Sequence, residues 1–253
     1  MLYSVAPAFA QVEQLSPPPT SERPGSPATG ITYPVPSLSR LFKETLTDFR
    51  QLPSRETFTW LSIGATAAFA GHPADGRVTR ILSASQPLHD TLEPGAIVGG
   101  TPFQLGAAFA TYALGRATNS PRVASVGADL FRAQLMAQAT TYAIKYSVRR
   151  MRPDSSQFSF PSGHASVTFA SATVLQRHFG WRAGIPAYAV ASYVAASRVQ
   201  MKRHYLSDVA FGAALGIVAG RTVTIGRGNA RFGLAPMASP GGGGVAFNWM
   251  GKQ

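Results

Sequence analysis

Apolar residues recur at helical spacing from about residue 38 to residue 225 and much less regularly outside that range. Phe42, Leu46 and Phe49 stand among charges, which predicts a short amphipathic helix within 38–56. The stretch from Phe58 to Gly71 is apolar, rich in small residues and closed by Gly71-His72-Pro73, so it reads as a buried helix. A polar loop is expected next, with Asp75, Arg77, Arg80, His89, Asp90 and Glu93, and with His72 and His89 as solvated loop histidines. Pro94 to Gly115 carries no charge and is the one run long enough to be read as a membrane crossing, though five glycines and Gln104 weaken it. Arg122 to Met151 predicts a long helix that ends at Arg152, because Pro153 disfavours helix in the residue before it. Further helices are expected at about 163–179, 184–201 and 205–222, alanine-rich and short, suited to close packing in a soluble or a membrane bundle.

The flanks differ. Residues 1–10 end in Ala8-Phe9-Ala10, like the tail of a secretory signal peptide with no basic leader before it, and residues 11–37 are a Pro/Ser-rich linker. Near the other end, Arg231-Phe-Gly-Leu-Ala and Val245-Ala-Phe-Asn-Trp alternate on either side of a glycine cluster, as a small β-hairpin would. The expected organisation is therefore a signal remnant and linker over 1–37, a helical domain over 38–225, and a tail or hairpin over 226–253.

Composition narrows the function classes. With 45% hydrophobic and 13% charged residues, the chain lies between an ordinary soluble protein and a polytopic membrane protein. It has no cysteine, which removes disulfides and thiolate metal sites. The net charge of +12 favours anionic partners, but outside 145–152 and 198–204 the basic residues are scattered, so nucleic acid is not an expected partner.

Candidate chemistry is concentrated between Lys145 and Asp208. In a continuous helix Lys145 and Arg152 would be nearly two turns apart on one face, with Arg149 between them, a stack of cations that an anion would relieve. A basic helix end that complements the dipole is the structural alternative. Pro161-Ser162-Gly163-His164 precedes a helical pattern; Ser162 suits an N-cap, and Gly163 lets an anion approach the first-turn amides. Arg198 is followed by His204 and Asp208, where a carboxylate one turn from an imidazole would hold it in one tautomer. No Gly-x-Ser-x-Gly elbow surrounds Ser162, and no His-Glu-x-x-His occurs, so a serine hydrolase and a metal site are both poorly matched.

Taken together, Lys145-x6-Arg152-Pro153, Pro161-Ser162-Gly163-His164 and Ser197-Arg198-x5-His204-x3-Asp208 resemble the three signature motifs of the type 2 phosphatidic acid phosphatase and vanadium haloperoxidase superfamily. The resemblance implies an all-α helical bundle of the acid phosphatase/haloperoxidase type. It also implies a phosphatase that needs no metal and acts on a phosphate monoester or diphosphate, of a soluble small molecule or a lipid. Lys145, Arg152 and Arg198, with Ser162 and Gly163, would bind phosphate. His204 would be the nucleophile supported by Asp208, and His164 the acid and base. The alternatives are a haloperoxidase with vanadate as its cofactor and a non-catalytic protein that binds anionic lipid. The expected location is the cell envelope, periplasmic or in contact with a membrane.

Overall fold

The structure, a computed structural model, describes residues 36–224 in full and the backbone of 231–239 and 242–250; the expected signal remnant and nearly all of the linker lie outside the described residues. Among the described residues ten α-helices follow one another: α1 (Leu38–Gln51), α2 (Arg55–Gly71), α3 (Asp75–Ser83), α4 (Gln86–Leu92), α5 (Pro94–Val98), α6 (Thr101–Ala117), α7 (Pro121–Val148), α8 (Gly163–Phe179), α9 (Trp181–Gln200) and α10 (Leu206–Val223). Serine side chains cap the starts of α1, α2, α4 and α8 (Ser37, Ser54, Ser85 and Ser162), accepting backbone amides that have no partner in the first turn. Two strands, β1 (Arg231–Ser239) and β2 (Gly242–Met250), pair antiparallel with Arg231 opposite Met250.

Two segments depart from the sequence expectation for the same reason. The polar stretch after Gly71 is not a loop but a single 3-10 turn followed by α3 and α4, and Pro94–Gly115 is not one helix but α5 and α6. Pro73, Pro87, Pro94 and Pro102 sit in first turns, where a missing N–H costs nothing, so these prolines start helices that a breaker reading would end. Between α5 and α6 the chain turns at Gly99-Gly100, with Gly100 extended at φ −64°, ψ 135°.

The bundle is built on α7, α8 and α10, whose Ala133, Met136, Ala137, Ala170, Val174, Ala219 and Val223 form the largest buried apolar cluster. Small residues let the backbones close on one another. A Cβ at Gly216 of α10 would lie 2.2 Å from the Ser166 carbonyl oxygen of α8, and one at Gly127 of α7 would lie 2.2 Å from the Tyr112 amide nitrogen of α6. Neither neighbour is a side chain that could swing away. Helix α1 is held across α7 by Arg132, buried and paired with Glu44, with Asp48 at 2.9 Å and with the Val223 carbonyl at 3.1 Å.

Helix α2 was expected to be buried and is not. Only Gly64 and Ala68 are covered, against α10, while Phe58, Ile63 and Phe69 are exposed, Phe69 to 84%. Phe103, Phe109 and Leu114 on α6 and Trp181, Ile185 and Val190 on α9 are exposed as well. Among the described residues α10 is the one helix long and apolar enough to cross a membrane, and it is mostly buried at the centre of the bundle.

Candidate active site

Three connections meet at one end of α7, α8 and α10. Helix α7 stops at Val148, earlier than expected, because Arg149 turns into the left-handed region at φ 51° and donates from Nε to the Tyr146 carbonyl. Arg149 is exposed, so it does not share a face with Lys145 and Arg152. Arg152 comes from the loop instead, fixed by its amide on the Ser156 carbonyl (2.7 Å) and by its own carbonyl, which accepts from Ser155 N (3.0 Å).

The loop returns at Ser159, and this residue, which the motifs do not contain, is the hinge of the site. It is fully buried. Its amide donates to the Arg150 carbonyl at 2.8 Å and its hydroxyl donates to Asp208 Oδ2. Its carbonyl accepts from His204 Nδ1 at 2.6 Å, while Lys145 Nζ donates to the Phe158 carbonyl at 2.5 Å. A carbonyl only accepts, so Nδ1 carries the proton and the Nε2 lone pair of His204 is unblocked. The Asp208 carboxylate is 3.7 Å from Nδ1, too far for a hydrogen bond. This corrects the expectation that Asp208 sets the tautomer: the Ser159 carbonyl does so, and Asp208 acts on the ring as a nearby charge.

His204 is almost wholly buried, and burial pushes its pKa down to about 4; the nearby Lys145 and Arg152 cations push the same way, against the Asp208 carboxylate. The ring is thus neutral at physiological pH. Its amide donates to the Arg198 carbonyl at 3.2 Å, which ties the histidine to the end of α9. Arg198 is buried, and so is the Nε–H of Arg152; neither guanidinium Nε has a hydrogen-bond partner among the described residues. Burial, then the Arg203 cation, hold the pKa of Arg152 below its ordinary value, although Asp154 and Asp208 oppose this. Two desolvated donors of this kind are costly unless an anion meets them.

Ser162 and Gly163 occupy the positions that the motif predicts. Ser162 is the N-cap of α8, with its own amide on the Asp208 carbonyl at 3.0 Å, so the start of α8 is joined to the start of α10. Gly163 begins the helix, and a Cβ there would meet the Gln138 amide oxygen at 3.5 Å and the Thr141 methyl at 3.6 Å, both ordinary contacts. That Gln138 oxygen is buried and without a hydrogen-bond partner among the described residues, a polar group beside the anion position that no sequence motif marks. His164, in the first turn, lies within electrostatic reach of Arg198, His204 and Lys145 and contacts the Ala96 carbonyl of α5 through Nε2 at 3.2 Å. Nε2 is therefore the donor there, and Nδ1 is left for a substrate or water.

Arg150 also went unmarked in the sequence. Its Nη1 donates to Asp208 Oδ1 and to Ser207 Oγ, both at 2.7 Å, and its Nη2 to Asp75 Oδ2 at 2.8 Å. Burial pulls its pKa down, but bonds to Asp75 and Asp208 outweigh that and hold it above the ordinary value. Nothing in residue spacing links Asp75 to this site, since it lies on α3 in a stretch read as loop.

Comparison with known proteins bears on the same region. Residues 127–231 match the sequence model of the PAP2 superfamily. Over 80 residues the chain is 44% identical to a lipid A 1-phosphatase of Porphyromonas gingivalis, covering 30% of this chain and 18% of that protein. Over 107 residues it is 40% identical to a decaprenylphosphoryl-5-phosphoribose phosphatase of Mycobacterium tuberculosis, covering 38% of this chain and 59% of that protein. The chain thus spans less than two thirds of either relative. Its fold is similar to that of a transmembrane PAP2 type phosphatidylglycerolphosphate phosphatase from Bacillus subtilis, with TM-score 0.53 at 20% identity over 73% of this chain and 92% of the other. It is also similar to LpxE of Aquifex aeolicus, with TM-score 0.50 at 19% identity over 59% of this chain and 93% of the other.

Proposed function

We propose, from the match of residues 127–231 to the PAP2 superfamily, that this protein is a membrane-associated phosphatase that hydrolyses a lipid phosphate monoester or diphosphate through a phosphohistidine. One observation carries the reading: a neutral, buried His204 with a free Nε2 lone pair stands beside buried Arg198 and half-buried Arg152, whose buried Nε–H groups have no hydrogen-bond partner among the described residues.

In the first step Nε2 attacks phosphorus in line with the bond to the leaving oxygen. The P–O bond breaks, and the departing alkoxide takes a proton from Nδ1 of His164; burial and the Arg198 cation push that ring's pKa down to about 4 in the free site, and the negative charge of the bound phosphate raises it so that the ring carries the proton. Lys145, Arg152 and Arg198, with the Ser162 hydroxyl and the Gly163 amide, neutralise the phosphoryl oxygens as charge spreads over them, so the protein's own cations supply the stabilisation and no metal is required. The ring of His204 becomes cationic when phosphorylated, and Asp208 at 3.7 Å stabilises that charge. In the second step His164 Nδ1 accepts a proton from water, the water oxygen bonds to phosphorus, the P–N bond breaks and inorganic phosphate leaves.

The lipid assignment rests on the exposed apolar faces of α2, α6 and α9 and on the relatives, two of which are phosphatases of lipid A and of a decaprenylphosphoryl sugar phosphate. Purified protein in detergent, offered lipid phosphates, soluble phosphate esters and p-nitrophenyl phosphate, should release inorganic phosphate equally with and without chelator. Release from none of them defeats the reading. His204→Ala should abolish the trappable phosphoenzyme, whereas His164→Ala should slow turnover about 10²–10⁴-fold, most with poor alkoxide leaving groups.

A further inference from the structure

Seven basic residues lie in or beside the two segments that bring cations to the site (Lys145, Arg149, Arg150, Arg152, Arg198, Lys202, Arg203), and three of them, Arg149, Arg150 and Arg203, are drawn to partners of their own. Arg149 bonds to its own helix end and Arg203 pairs with Asp154 at 3.0 Å. Arg150 is turned towards protein partners. Both terminal nitrogens are bonded, to Ser207 and Asp208 and to Asp75, and its guanidinium carbon lies 4.4 Å from the centre of the Tyr205 ring. Its three side-chain hydrogen bonds all go to protein groups.

Asp75 completes the arrangement from α3, far away in sequence. Its Oδ1 accepts the Ser207 amide at 2.9 Å and its Oδ2 accepts the Ser207 hydroxyl at 2.5 Å. Ser207 is the second residue of α10, where backbone amides are unsatisfied and negative charge is favoured. Asp75 therefore fixes the first turn of the helix that carries Asp208. Asp208 in turn holds the Tyr205 amide at 2.8 Å and the Ser159 hydroxyl, and the Ser159 carbonyl holds His204 Nδ1. Ser159 is anchored a second time through its amide on the Arg150 carbonyl. A continuous chain of bonds thus runs from α3 to the imidazole, with Asp75 and Ser207 buried and Asp208 and Ser159 wholly so.

We propose that Asp75, Arg150 and Ser207 form a positioning set that holds Asp208 and, through Ser159, fixes the tautomer and orientation of His204, so that Arg150 supports the nucleophile and takes no part in gripping phosphate. The catalytic consequence rests on the phosphatase reading; the effect on the imidazole does not.

The test uses full-length protein in detergent, labelled with 15N-histidine. In the wild type His204 should be protonated on Nδ1, and Asp75→Asn, Arg150→Gln and Ser207→Ala should each introduce a second tautomer or a broadened ring signal. Kinetics with a lipid phosphate should show kcat lowered about 10–100-fold by Asp75→Asn and Arg150→Gln and about 3–10-fold by Ser207→Ala, with KM within about 3-fold of wild type and partial recovery in Arg150→Lys. A KM raised tenfold or more with kcat unchanged in Arg150→Gln would make Arg150 a phosphate ligand and overturn the proposal. Unchanged kcat together with an unchanged His204 spectrum would also overturn it. Should Asp75→Asn and Arg150→Gln fail to fold, Ser207→Ala, which removes only one hydroxyl, decides by the same two readouts. If the wild type releases no phosphate, the phosphatase reading fails alone, and the His204 spectra still decide whether the set positions the ring.

Discussion

His204 shows how one backbone oxygen can set a side chain's chemistry. Had its Nδ1 met the Asp208 carboxylate directly, the two charges would form a pair and the ring would tend to protonate. The Ser159 carbonyl gives the same tautomer while the carboxylate stays at 3.7 Å, near enough to stabilise positive charge on the ring. Burial is the main reason its pKa drops to about 4, from an ordinary value of about 6.5. The sign follows directly. Because the folded state holds this ring neutral, the unfolded chain binds an extra proton between those two values, and the stability due to His204 is present above about 6.5 and lost as pH falls towards 4. NMR titration should find the His204 Cε1 proton unshifted from pH 8 to pH 5; a midpoint near 6.5 would contradict the buried, neutral ring.

Helix contacts decide how well those residues are registered. Ser162 and His164 ride on α8, and Asp208 on α10, so the site is only as fixed as the α8–α10 interface. Gly216 stands at its tightest point, 2.2 Å from the Ser166 carbonyl for any added Cβ. Gly216→Ala should therefore destabilise the protein by about 1–3 kcal/mol, in the range of overpacked sites, despite alanine's better helix propensity. Thermal unfolding in detergent measures this, and phosphate release should drop with it as α10 shifts. A stability equal to wild type would mean that the helices part without cost. Much at this scale was legible in the sequence: α7 to α10 fall within a few residues of their expected spans, because alanine-rich runs between turn residues leave few alternatives. The segment from Gly71 to Gly115 was misread because prolines and glycines serve both to end helices and to begin them, and which role applies depends on the neighbouring helix.

For the whole molecule, the arrangement of apolar surface is the informative feature. Among the described residues Phe58, Ile63 and Phe69 are exposed on α2, and further large apolar side chains are exposed on α6 and α9, as suits a face turned to a membrane or a partner. Membrane fractions from expressing cells should retain the protein through a carbonate wash, and its release into the supernatant would count against a lipid-seated molecule. The polar site at one end of α7, α8 and α10 would then place phosphate near a head-group region, with the lipid body along the apolar faces.

The sequence by itself determined which residues are candidates for the chemistry: Lys145, Arg152, Ser162, Gly163, His164, Arg198, His204 and Asp208 stand out by residue type and spacing, and the long apolar periods around them determined a helical bundle. Such features are local, set by a few residues and their offsets along one chain segment. The tertiary structure decided what depends on groups distant in sequence. It turned Arg149 outward and committed Arg150 to carboxylates, and it brought Asp75 from α3 to the start of α10. It also placed a serine carbonyl, which no motif records, on the ring of His204. Backbone carbonyls and long-range pairs leave no signature in residue order, because every residue has a carbonyl and only the fold determines which one a side chain meets.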